Sequence, residues 1–215
     1  MTDRREHWEQ VYSSKAPDKH SWFQLRPEAS LALIGTACSS PATRIIDIGG
    51  GTSHLVDELL AQGYQNVSVL DLAPSALEAT KRRLAAQADR VHWIEADITS
   101  APIQETFDIW HDRAVFHFLT EASDRAAYVH ALKKSLEVGG YAIFATFADD
   151  GPVRCSGLPV VRYNPSSLLA ELGEGFDLVD TRRELHNTPT GHGQSFVYCL
   201  FRRSDSPAPP HLQTH

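Results

Sequence analysis

The chain has 215 residues, 20 Lys/Arg against 27 Asp/Glu and a formal charge of −7, a length that suits one α/β domain whose core needs no covalent staples. The acidic total, with basic residues scattered along the chain, argues against a nucleic-acid partner, whose phosphates demand a basic footprint. Cys38, Cys155 and Cys199 are far apart and lack CxxC spacing, which argues against a disulfide framework or a zinc cluster and fits a reducing compartment.

The N-terminus, MTDRREHWEQVY, is charged and has no signal-peptide core. Residues 5–15 read as a short amphipathic helix with Trp8, Val11 and Tyr12 on one side. A loop with two aromatics follows, APDKHSWFQLRP, and then a helix over 28–38 with Pro27 suited to its first turn. From there strand and helix alternate. Strands are expected at 44–48, 67–71, 91–95, 107–111 and 141–147, with helices at 53–62, from Pro74 to about 86, and at 123–136, stopped by Gly139–Gly140. A helix over 164–172 has Asn164 as N-cap, and strands at 176–185 and 195–201 close the fold. No apolar run approaches the roughly 20 residues of a membrane span, so the expected protein is cytoplasmic without a membrane partner. The tail, 204–215, has little apolar content and is expected to be disordered. There are no internal repeats and no interdomain linker; 1–203 reads as one domain, with 1–40 as a helical lid and 44–203 as the core.

Repeated β-α units imply a mostly parallel sheet with helices on both faces, and two consecutive strands at the end imply an antiparallel hairpin added at one edge. Within that frame, RIIDIGGGTSHLVDELL raises a functional question. A glycine-rich turn between strand and helix is a weak signal by itself. Here it follows a buried-looking strand and opens an amphipathic helix, whose free N–H groups and close backbone approach suit a nucleotide. The second strand ends in Asp71, placed to accept hydrogen bonds from ribose hydroxyls. The third ends in WIEADIT, which puts Asp97 one strand further out, where a carboxylate can accept from an adenine amine. A dinucleotide site is disfavoured: His54 stands where GxGxxG has its third glycine, and Asp57 and Glu58 come early in the following helix.

On IIDIGGGTS, VLDLAPSAL, EADI and the terminal hairpin, the sequence resembles the class I S-adenosylmethionine-dependent methyltransferases over roughly 44–203. The resemblance implies a doubly wound, Rossmann-like seven-stranded sheet whose last strand is inserted antiparallel. It also implies that Asp47, Gly49, Gly51 and Thr52 face the methionyl and ribose portion of the cofactor. Asp71 would hold the ribose, Asp97 the adenine, and Leu72 and Ile98 would flank the adenine ring. The pattern W…Y…SWFQ…P is similar to small members in which the N-terminal segment covers the cofactor, which brings in Trp22.

The acceptor side is less legible. Ligands sit at the carboxyl ends of the strands, so FDIWHDRAVFHFLT should face the transferable methyl group. His111 or Asp112 is the candidate general base, with His117 behind, and His111 also counts among the cofactor contacts. Phe23, Arg113, Arg154, Cys155 and Arg162 are the candidate acceptor contacts, two of the arginines lying in the long connection 149–163, where they could grip an anion. The Asn-Pro-Pro-aromatic motif of members that methylate amides or adenine amines is absent. No metal site is expected at His186 and His192. The leading expectation is methyl transfer to a small molecule, anionic in one version, with an O, S or carboxylate acceptor. A protein lysine acceptor is the alternative. A cofactor-binding module without turnover is the reading from another class, and a nicotinamide oxidoreductase is an outside choice.

Overall fold

In the computed structural model, which describes residues 4–100 and 103–205, the alternating pattern winds into one seven-stranded sheet. Two helices, α1 (Arg4–Ser14) and α2 (Glu28–Ala37), precede β1 (Arg44–Ile48). Then come α3 (Leu55–Ala61), β2 (Asn66–Asp71), α4 (Pro74–Leu84), β3 (Val91–Glu95) and β4 (Phe107–Arg113). After α5 (Ala122–Ser135) and β5 (Leu136–Phe147), a two-residue hairpin of β6 (Arg154–Cys155) and β7 (Leu158–Pro159) leads to α6 (Pro165–Leu172). The strands β8 (Phe176–Asn187) and β9 (Gly193–Arg203) complete the chain. The order across the sheet is β3-β2-β1-β4-β5-β9-β8, with β1 to β5 parallel and β9 entering antiparallel between β5 and β8. The strand order reverses beside β1, and in such sheets the crevice at that point is where ligands bind.

Successive residues of the central strands feed opposite cores, as a period of two requires. Ile45, Val67 and Val69 pack with α2, α3 and α4 on one face, while Ile46, Ile48 and Leu70 pack with α5 and α6 on the other. Covering both faces is why β1 and β2 read as apolar runs rather than alternating ones. It also makes the exceptions visible: Asp47 is buried within β1, and Asp71 is buried at the end of β2.

The helix over 123–136 does not run up to the two glycines. It ends at Ser135, Leu136 turns extended, and β5 begins five residues earlier than expected, through Gly139 and Gly140. A Cβ on Gly140 would lie 2.9 Å from the carbonyl oxygens of Asp108 and Glu137. The glycines there serve a close strand approach, beside the register shift between Phe107 and Ile109, rather than a helix stop. β4 runs on to Arg113, two residues beyond expectation, because its last residues pair with β5. Asn164 caps α6 as expected, its side chain accepting from the Ser167 N–H at 2.9 Å in a capping box. The expected disordered tail lies, from residue 206 on, outside the described residues. Among the described residues no helix is long and apolar enough to cross a membrane.

Candidate cofactor and acceptor site

The turn after β1 is pinned to its neighbour strand. Gly49 and Gly50 both donate N–H bonds to the Leu70 carbonyl, at 2.7 and 3.2 Å. Gly49 and Gly51 have φ of +65° and +40°, which favour glycine, and both lie against other groups: a Cβ at Gly49 would collide with Val115, and one at Gly51 with the Tyr12 hydroxyl and with Asp71 Oδ2 at 2.8 Å. The Asp47 carboxylate lies under this turn, 2.7 Å from where a Gly50 Cβ would stand. Thr52 is buried, and its carbonyl accepts from Arg83 at 3.0 Å. Asp57 and Glu58 are paired, with Arg83 at 2.7 Å and Arg26 at 2.9 Å.

Beyond the turn a cavity of about 440 Å³ opens over the carboxyl ends of β1 to β4. Gly49, Asp71, Leu72, Asp97 and Ile98 all line it, so the turn and both strand-end acids share one space. Asp71 Oδ1 accepts from the Ala73 N–H at 2.8 Å. Burial, with the Asp47 and Glu9 charges nearby, nevertheless pushes its carboxyl up to about 7. Asp97 Oδ1 accepts from Thr99, from its N–H at 2.8 Å and from its hydroxyl at 2.6 Å, while Oδ2 makes no backbone bond and lies 3.6 Å from the Arg4 guanidinium.

The roof comes from α1 and the loop after it. Arg4, Trp8 and Tyr12 are four residues apart, fall on one helix face and all line the cavity. The helix is tied down along its length. Arg4 reaches Asp97 at 3.6 Å and also pairs with Asp124. Glu9 accepts from the Ser75 N–H at the start of α4 at 3.0 Å. Tyr12 is held against Asp71, and burial with that carboxylate raises its hydroxyl well above the usual range. Trp22 adds a second aromatic wall, stacked on His20 at 4.5 Å and edge-on to Trp8 and Tyr12 at 6.0 and 5.8 Å. Trp8 meets Phe118 at 5.0 Å.

The three expected proton-transfer groups do not face this cavity. His111 is buried with both ring nitrogens engaged, Nδ1 on Asp47 at 2.7 Å and Nε2 on Ser30 at 2.9 Å, so it braces β1 against α2 and borders only a smaller space under the loop. Asp112 points to the opposite face, as strand alternation dictates. There it accepts from the Tyr128 hydroxyl at 2.6 Å and from the N–H groups of Val115 and Phe116 at 2.9 and 3.1 Å, fixing the turn after β4. Burial raises it to about 6. His117 is fully buried among Phe118, Phe147 and Phe196, accepts from the Phe147 N–H at 3.2 Å, and is pushed down to about 3 by burial and by Arg113.

The acceptor candidates divide. Arg113 and Cys155 line the main cavity. Phe23 borders only the smaller space, edge-on to His54 at 5.6 Å. Arg154 and Arg162 are exposed on the long connection and bond to the carbonyls of Gly157 and Gly151, away from the cavity. The expected anion grip by these two arginines is therefore not formed: each guanidinium closes a turn of its own loop. Sequence reasoning missed Arg4, Phe118, Gln194 and Phe196 as lining residues. The first has a signal in its four-residue spacing to Trp8 and Tyr12; the others come together only through the sheet.

Residues 45–140 match the family model described as a methyltransferase domain. The chain is 29% identical over 140 residues to the malonyl-[acyl-carrier protein] O-methyltransferase of Anoxybacillus flavithermus, covering 64% of this chain and 51% of that one. It is 24% identical over 127 residues to nodulation protein S of Rhizobium tropici, covering 59% and 52%. The chain thus spans about half the length of these curated relatives. Among solved structures, one described as the conversion of a disulfide bond into a thioacetal group during echinomycin biosynthesis superposes with a TM-score of 0.77 at 21% identity, covering 95% of this chain and 93% of that one. The N-methyltransferase NodS of Bradyrhizobium japonicum with S-adenosylhomocysteine superposes with a TM-score of 0.68 at 18% identity, covering 91% and 97%. The match over 45–140 and the strand order β3-β2-β1-β4-β5-β9-β8 agree with the resemblance to the class I S-adenosylmethionine-dependent methyltransferases.

Proposed function

We propose that the chain transfers the methyl group of S-adenosylmethionine to a small molecule. The observation that carries this reading is the joint exposure of a glycine turn, Asp71 and Asp97 to one roofed cavity. The residues fit the cofactor: the turn has no room for a side chain at Gly49 or Gly51, and Asp97 keeps one carboxylate oxygen clear of backbone bonds. Asp71 would accept from the ribose hydroxyls, Asp97 from the adenine amine, and Leu72 and Ile98 would flank the ring. Trp8, Tyr12 and Trp22 would exclude water and turn π-faces toward a positive charge. The cofactor supplies a methyl group on an already activated sulfonium, so the protein's main contribution is in-line placement of the acceptor.

A space of about 440 Å³ beneath α1 and the Trp22 loop is the size of a small-molecule pocket and favours a small acceptor over a protein side chain. The malonyl-carrier relative shows by name that a carried small acid is also within reach of similar folds. Calorimetry with S-adenosylhomocysteine and with NAD tests the cofactor. Micromolar binding of the first is expected; binding of NAD alone would overturn the reading. Transfer of labelled methyl to any acceptor then separates an enzyme from a binding module without turnover.

A further inference from the structure

The sheet divides the cavity chemically. Its β3-β2-β1 half holds the acids already assigned to the cofactor. Two further carboxylates line the cavity from the start of α5: Asp124, which pairs with Arg4, and Glu121 at the helix N-cap. The β4-β5-β9 half is walled by Phe118, Leu158, Pro159 and Phe196, with Arg113, Cys155 and Gln194 as its polar groups. Among these wall residues of the β4-β5-β9 half there is neither a carboxylate nor an imidazole.

Arg113 is rigidly mounted there. Its Nε donates to the Tyr198 hydroxyl and one terminal nitrogen to the Trp22 carbonyl, both at 3.0 Å, and the guanidinium lies 4.8 Å over the Phe196 ring. Its other terminal nitrogen is buried with no partner, and no ion pair holds this cation among the described residues. A buried donor without a partner is costly, and a half-buried guanidinium attracts an anion. An ammonium group would be repelled. A thiol or phenol would first have to lose a proton, and none of the wall residues around Arg113 takes one: burial raises the Cys155 thiol, and His117 lies outside the cavity. A carboxylic acid, with an ordinary pKa of about 4, arrives already ionised.

We propose, resting on the cofactor reading above, that the acceptor is the carboxylate of an apolar organic acid, held by Arg113 and converted to its methyl ester. One carboxylate oxygen uses its lone pair to form the O–CH₃ bond while the C–S bond breaks and its electron pair stays on sulfur. The negative acceptor and positive donor become a neutral ester and a neutral thioether, and no proton moves. Loss of the negative charge also removes the attraction to Arg113 and favours product release.

The test supplies methyl-tritiated S-adenosylmethionine to the full chain with octanoate or 3-phenylpropionate, and in parallel with octanethiol or octylamine. Mild alkali releases ester methyl as volatile methanol and leaves S- and N-methyl in place. The expected result is alkali-labile label from the acids only. Calorimetry of octanoate on the protein saturated with S-adenosylhomocysteine should show affinity falling at least tenfold in Arg113→Met and partly recovering in Arg113→Lys, with S-adenosylhomocysteine affinity within twofold of wild type. Label on octanethiol or octylamine alone, absent octanoate binding, or unchanged octanoate affinity in Arg113→Met would each overturn the proposal. So would a loss confined to S-adenosylhomocysteine, which would make Arg113 a cofactor residue. Failure of the wild type to bind S-adenosylhomocysteine would instead sink the cofactor reading beneath it. The product assay uses wild-type protein, so it decides even if the Arg113 variants fold poorly.

Discussion

Replacing Asp71 by Asn should make the free protein more stable at pH 8 while damaging its site. Asn is nearly isosteric, keeps an oxygen for the Ala73 N–H and removes the buried charge. The native carboxyl is pushed from 3.8 up to about 7, mainly by burial. The unfolded chain therefore ionises first as pH rises, the native state binds more protons between those values, and stability falls with pH through that window. The rise corresponds to about 4 kcal/mol, absent below pH 4 and fully in place above pH 7. Urea unfolding at pH 4 and at pH 8 measures it. Asn should be more stable than Asp by about 2 to 4 kcal/mol at pH 8, with the gap nearly closed at pH 4. S-adenosylhomocysteine affinity should fall at least tenfold in the same variant, because an amide would replace the carboxylate proposed to accept from both ribose hydroxyls. A gap that does not change with pH, or an Asn variant less stable at pH 8, would refute the buried-charge argument.

Gly51→Ala should cost about 1 to 3 kcal/mol and abolish S-adenosylhomocysteine binding, since φ is +40° and the added methyl meets Tyr12 and Asp71. Gly63→Ala is the control: φ is +90° in open space, so thermal stability should fall while the calorimetric affinity stays put. His117→Gln should flatten the acid limb of the stability curve. The native imidazole is pushed from 6.5 down to about 3, so the unfolded chain takes the proton first and stability is lost as pH falls through that range, by about 5 kcal/mol in all. Wild-type unfolding followed from pH 7 to pH 3 beside the variant checks this.

The glycine turn, the strand-end acids and the terminal hairpin were legible because each is a local pattern: apolar runs ending in Asp71 and Asp97, glycines where strand meets helix, two strands without a helix between them. The acceptor side was not. His111, Asp112 and Arg113 are consecutive, and sequence order alone gives them one place. Strand alternation sends Asp112 to the face opposite its neighbours, and packing against Asp47 and Ser30 uses up His111. Arg154 and Arg162 sit in a segment that does reach the cavity through Cys155, Leu158 and Pro159, yet their own side chains fold back onto their loop.

Sequence by itself determined the winding of the sheet and which turn and strand-end residues line its crevice, because β-α periodicity and strand-end residues are set over a few neighbouring positions. Tertiary structure alone decided the rest. It laid α1 across the cavity so that Tyr12 meets Asp71 from a position 59 residues earlier in the chain. It also brought Arg113 of β4, Cys155 of the β6-β7 hairpin, and Gln194 and Phe196 of β9 to one wall. Which side chains of a strand end face a ligand depends on what packs behind them, and that partner is written elsewhere in the chain.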